Sequence, residues 1–115
     1  METKDAVVAL AALAQEHRLA VFRLLVQHGP EGLAASEIAR RLGLAAPTLS
    51  FHLKSLSQAG LIQARQEGRF IFYAASYGAM NDLLQFLTEN CCQGESCAAG
   101  EPMPQPSRPL KRRRS

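Results

Sequence analysis

The sequence predicts a mainly α domain carrying one β-hairpin, with elements in the order α-α-α-α-β-β-α. Three observations predict it. Five segments are built of strong helix formers or repeat apolar residues at helical spacing. Glycine or proline punctuates the ends of most of them. One aromatic and β-branched run, Phe70 to Tyr73, follows a charged turn.

The first segment, residues 5–14, reads DAVVALAALA and is apolar nearly all round, so it needs cover on several sides. In so small a chain a second subunit could supply that cover. Residues 16–28 continue helically with Leu19, Phe22, Leu25 and Val26 expected inward, and Gly29-Pro30 ends the helix. A short helix over 35–42 follows, with Ile38, Ala39 and Leu42 inward and Gly43 as its stop. The next spans roughly 46–59, with Pro47 in its first turn, where a missing N–H costs nothing, and Gly60 as its end. Two helices joined by a tight glycine-containing turn form a helix-turn-helix. Residues 61–75 then give a hairpin around Gln66-Glu67-Gly68. Ser76 is placed to cap a last helix, roughly 77–90, with a stripe of Met80, Leu83, Leu84 and Leu87.

With 115 residues, 47% hydrophobic and 20% charged, the chain is long enough for one domain with a modest core. No apolar run approaches the roughly 20 residues of a membrane span, and Glu2, Lys4 and Asp5 do not make a signal peptide. A cytoplasmic protein without membrane contact is expected, its thiols reduced. The net charge of +3 is misleading. Arg108, Lys111, Arg112, Arg113 and Arg114 face a single acid within 101–115, which leaves the first 100 residues slightly acidic. Between Ser36 and Arg69, however, five cations stand against Glu37 and Glu67. A local basic surface of this kind points to nucleic acid. Residues 98–115, rich in Gly, Pro, Gln, Ser and Arg, are expected to form a disordered basic tail behind a domain of residues 1–97.

On the 46–59 helix, Leu49, Leu53 and Leu56 share one face. Pro47, Phe51, Lys54 and Gln58 project from the other, flanked by Thr48, Ser50 and Ser55. A helix anchored on its apolar side that presents hydroxyls, a cation and an aromatic ring fits a major groove. There the hydroxyls can serve bases or phosphates, and Phe51 a thymine methyl. Arg65 and Arg69 bracket the hairpin turn and can reach backbone or a narrow minor groove. Taken alone, such a helix could equally be a solvated one; the basic-tipped hairpin directly after it favours double-stranded DNA. His52, near the apolar face, reads as a packed or hydrogen-bonding histidine, and His17 and His28 likewise.

The stretch SEIARRLGLAAPTLSFHLKSLSQAGLI followed by RQEGRFIFY resembles the winged helix-turn-helix of the ArsR/SmtB repressors over roughly residues 5–92. The resemblance implies a homodimer joined through the first and last helices and an operator as partner. The DNA contacts read from the residues themselves are Pro47, Thr48, Ser50, Phe51, Lys54, Arg65 and Arg69. Two departures stand out. Ala45-Ala46 occupy positions where family members commonly have a polar pair, and Phe51 stands where a basic residue is common. The Cys-x-Cys of one arsenic-sensing branch is also absent from the helix at 35–42.

All three cysteines lie in TENCCQGESC, residues 88–97. Gly94 lets the backbone curl, so Cys91, Cys92 and Cys97 could converge on one ion, while a disulfide between neighbours is strained. Zinc prefers four ligands. Three thiolates suit arsenic(III) or antimony(III), soft and pyramidal. The cluster also resembles an arsenite-responsive branch with a Cys-Cys pair and one further Cys past the last helix. Zinc, cadmium or lead sensing, thiol-redox sensing and a merely structural cluster remain the alternatives. An enzyme is not expected: no positioned general base, phosphate-binding glycine loop or cofactor motif is present.

Overall fold

The computed structural model describes residues 1–94. Five helices and a three-stranded antiparallel sheet follow in the order α1 (Thr3–Leu13), α2 (Glu16–His28), β1 (Leu33–Ala34), α3 (Ala35–Leu42), α4 (Ala46–Gln58), β2 (Ile62–Glu67), β3 (Phe70–Ala75) and α5 (Tyr77–Thr88). A short 3-10 segment, Cys91–Gly94, closes the described chain. The expected order of helices and hairpin is present. Strand β1 is an addition that a two-residue element gives no periodicity to reveal: Leu33 pairs with Tyr73 and Ala34 with Phe72, so the sheet runs β1-β3-β2.

Local chemistry sets the boundaries. Gly43 takes a left-handed conformation (φ 66°) at the end of α3, which only a residue without Cβ adopts at little cost. Pro47 sits in the first turn of α4. Ser76 caps α5, its Oγ accepting from the Ala79 amide at 3.2 Å. The hairpin turn is Gly68-Arg69, since Glu67 pairs with Phe70, one step beyond the expected Gln66-Glu67-Gly68. A two-residue turn needs φ above zero at its first position, and Gly68 supplies it at 62°. Helix α5 ends at Thr88, short of the expected residue 90.

The core is a single cluster built from Val21, Phe22 and Leu25 of α2, Ile38 of α3, Leu49, Leu53 and Leu56 of α4, with Leu61, Ile62, Ala75 and Leu83. One inward assignment changes. Leu19 is exposed and Val21 is fully buried, because α2 is apolar on more than one side and packing selects the face. Helix α1 turns its small residues in: Ala6, Ala9 and Ala12 are buried while Val7, Val8 and Leu10 face outward. The α5 stripe divides similarly, with Leu83 buried, Met80 half-buried, and Leu84 and Leu87 more than half exposed. Tyr77 ties the start of α5 to α2, its hydroxyl donating to the Val26 carbonyl at 3.0 Å.

Candidate nucleic-acid interface

Helices α3 and α4 meet through the Gly43 turn. Burial of Leu49, Leu53 and Leu56 fixes the rotation of α4 and leaves Pro47, Thr48, Ser50, Phe51, Lys54 and Gln58 on its exposed side. Phe51 is 64% exposed, a large apolar ring held in water by a helix that is otherwise well anchored. The ring is therefore accessible to a partner outside the protomer.

His52, directly beneath, is buried, and its Nδ1 makes no hydrogen bond. Its ring lies against Phe51 at 5.9 Å and His17 at 5.7 Å, centroid to centroid. Burial first, then the charges of Arg18 and His17, push its pKa below the usual histidine value. Arg18 in turn is fixed by its Nε, which donates to the Ala12 carbonyl at 2.6 Å and joins α2 to the end of α1.

The basic residues divide into engaged and available ones. In α3, Glu37 binds both Arg40 and Arg41, the latter at 2.7 Å, and the two guanidinium groups hold its carboxyl down at about 2. Arg65 was expected at the hairpin turn beside Arg69, and the two are placed differently. Arg65 folds back along the hairpin: its Nε donates to Glu67 at 2.6 Å, its Nη2 donates to the Glu31 carbonyl at 2.9 Å, and its guanidinium lies 5.5 Å from the centre of the Phe72 ring. The anchor at Glu31 lies 34 residues away in the chain, which no local pattern could reveal. Arg69, in the turn itself, makes no salt bridge among the described residues.

A helix-turn-helix domain model matches residues 13–63, the span that includes α3 and α4. The transcriptional activator HlyU of Vibrio cholerae is 34% identical over 88 residues, which cover 76% of this chain and 79% of that protein. This chain belongs to the ArsR/SmtB-like family of winged helix-turn-helix transcriptional regulators. As such it is a DNA-binding regulator and not an enzyme. In three dimensions the regulator is similar to an ArsR-like transcriptional regulator from Rhodococcus sp., with a TM-score of 0.69 and 26% identity, covering 79% of this chain and 83% of that one. It is also similar to a homodimeric winged helix-turn-helix domain from Mycobacterium bovis, with a TM-score of 0.62 and 26% identity, covering 81% and 86%. HlyU has itself been solved, also in a reduced form, which is 32% identical to this chain with a TM-score of 0.59 over 79% of this chain and 93% of that one. The hairpin β2–β3 is thus the regulator's wing and α4 its recognition helix.

The thiol segment lies beyond α5. Cys91 Sγ and Cys92 Sγ are 3.3 Å apart. Asn90, Cys92 and Gln93 all take left-handed backbone conformations, with φ of 57°, 58° and 59°. Cys97 and the tail 98–115 lie outside the described residues. Among the described residues no group of three or more His, Cys, Asp or Glu side chains is placed to hold one ion. No helix among them is long and apolar enough to cross a membrane.

Proposed function

We propose that this protein is a metalloid-responsive repressor. It binds an operator as a homodimer and leaves it when arsenic(III) or antimony(III) is taken up by Cys91, Cys92 and Cys97. The observation that carries the reading is the 3.3 Å approach of Cys91 Sγ and Cys92 Sγ at the end of α5. Zinc would require a fourth ligand beside the three thiolates. A pyramidal ion with three soft ligands needs one ligand fewer than zinc, and the adjacent pair supplies two of them side by side. Cys97 supplies the third thiolate, which makes residues 1–97 the functional domain and 98–115 a basic tail.

The dimer is supported by the apolar residues that the protomer leaves outside. Val7, Val8 and Leu10 of α1 and Leu84 and Leu87 of α5 are each more than 40% exposed, and the Mycobacterium bovis relative is described as homodimeric. In the dimer the recognition helices stand about one DNA turn apart, roughly 34 Å, with Pro47, Thr48, Ser50, Phe51 and Lys54 in the major groove and the wing arginines alongside. Inducer binding acts at a distance from the bases. Left-handed non-glycine residues cost about 1–2 kcal/mol each, so the stretch from Asn90 to Gln93 is a strained elbow. Gathering a third sulfur rearranges it and shifts the free end of α5, the half that carries Leu84 and Leu87. The start of that helix stays tied through Tyr77 to Val26. A hundredfold loss of operator affinity requires only about 2.7 kcal/mol of coupling.

A second reading, thiol-redox control, is favoured by one observation: the relative HlyU was solved in a form specified as reduced. Titration of the DNA-bound protein with arsenite, antimonite, zinc, cadmium and hydrogen peroxide separates the two. The metalloid reading expects release by arsenite and antimonite near one equivalent per site. Release by peroxide alone establishes redox control, and release by zinc or cadmium alone makes the regulator a metal sensor.

A further inference from the structure

The wing ends in an aromatic ring that the fold does not use. Its base is anchored, since Ile62 and the opposite Ala75 are buried, but the rest of β2 is exposed along its length. Past the Ala34–Phe72 pair the hairpin runs on for two residues, from Arg65 to Glu67, about 7 Å at 3.4 Å per residue, beyond the end of β1. At its end Phe70 is 60% exposed. Among the described residues its ring neighbour is Phe72, at 6.5 Å between centroids.

The outward face below Phe70 is stiffened. Phe72 pairs with Ala34 of β1, stands opposite Arg65 and lies under its guanidinium, which is itself fixed to Glu67 and the Glu31 carbonyl. The tip is also narrow and positive. Gly68 contributes no side chain, Arg69 adds a charge, and the only acid there, Glu67, is already neutralised by Arg65. The ribbon as a whole is wider than the minor groove, about 6 Å across, but its narrow Gly68-Arg69 turn brings one cation and the adjoining Phe70 ring to the edge of such a groove. Apolar wedges placed beside arginine enter the minor groove by partly unstacking one base step.

We propose that Phe70 is such a wedge: Arg69 holds the phosphates or the groove floor while the Phe70 ring enters a flexible pyrimidine–purine step and bends the operator toward the major groove. The proposal rests on the DNA-binding reading and adds a DNA feature that the recognition helix does not read. Flexible steps yield at lower cost, so sequence preference arises where the wing touches and not only under α4.

The test uses a duplex selected by the full-length protein from a randomised pool. One version is end-labelled for energy transfer, and another carries 2-aminopurine scanned through the flank. The wild type is expected to shorten the end-to-end distance and brighten 2-aminopurine at one step per half-site. Phe70→Ala should lose both signals and bind about ten- to a hundredfold more weakly, the range of one lost base–aromatic stack. Phe70→Leu should retain most of the bend, and Arg69→Ala should lower affinity and salt slope while the preferred step stays the same. Tight wild-type binding to straight DNA with no bright step overturns the wedge and leaves operator recognition standing, as does a Phe70→Ala variant that bends like wild type. A Phe70→Ala effect on sedimentation but not on bending would assign the ring to a protein contact and also overturn it. Selection of no duplex at all would remove the DNA reading and the wedge together.

Discussion

The imidazole of His52 lies 5.7 Å from that of His17, centroid to centroid, beneath the exposed side of α4. One histidine is buried and the other exposed. Burial, Arg18 and His17 all disfavour a proton on His52, so its pKa is lower folded than unfolded. The unfolded chain therefore binds more protons, and stability rises with pH across the interval between the two values. The stabilisation is complete above the unfolded value near 6.5 and is lost as pH falls from there toward the folded value. Thermal melts from pH 8 to 5 should show the melting temperature falling below pH 6.5, and His52→Leu should flatten that fall. A wild-type curve flat over the same interval would show that the proton on His52 is not coupled to folding.

The two wing arginines should behave differently. Arg69→Ala removes an available charge, so the slope of log affinity against log salt should fall by about 0.9 per site neutralised. Arg65→Ala should change the slope less, because Glu67 and the Glu31 carbonyl already engage that guanidinium. Glu67→Gln should release Arg65 and strengthen binding at low salt. Operator titrations at several salt concentrations test all three. Equal slopes for both alanine variants would show that Arg65 leaves Glu67 on binding.

Cys91→Ser, Cys92→Ser and Cys97→Ser should each keep operator affinity within about threefold yet lose or blunt release by arsenite, with the first two most affected. Operator binding with and without arsenite measures this. Variants that fail to bind DNA would make the cluster structural.

Leu84→Glu and Val8→Glu place a charge on surfaces that are more than half exposed in the protomer. Both variants should fold, with helical content unchanged, but sediment as monomers. Operator affinity should drop at least tenfold, about 1.4 kcal/mol. Dimers of unchanged stability would move the subunit interface elsewhere.

Gly32 has φ 82°, and a Cβ there would stand 2.7 Å from the Tyr73 carbonyl oxygen. Gly32→Ala should therefore destabilise by about 1–3 kcal/mol by forcing β1 away from β3. Chemical denaturation measures the change. The free end of the wing should be unaffected.

Helices were readable in the sequence because Leu49, Leu53 and Leu56 repeat at one period and Gly29, Gly43 and Gly60 stop three of them. What could not be read depends on distant partners. Strand β1 exists because Tyr73 and Phe72 offer an edge to Leu33 and Ala34. Val21 displaces Leu19 because α2 has apolar residues on two sides and neighbouring helices choose between them. The exposed side of α4 was legible residue by residue, since burial of its leucines dictates what remains outside. The conformation of Arg65 was not, since its anchor is a carbonyl in another loop.

Helix α1 packs inward through Ala6, Ala9 and Ala12 and presents Val7, Val8 and Leu10 outward. The inner contact is made with the smallest side chains available, so it does not depend on what the outer ones are. Val7 is 57% exposed, so it can be exchanged for isoleucine or leucine without repacking the buried alanines. In a cell that holds several proteins of this shape, the proposed dimer would let each acquire its own outer pattern and reject cousins that share its fold. If the proposed dimer pairs through this face, self-recognition and folding are written on opposite sides of one helix and can diverge independently.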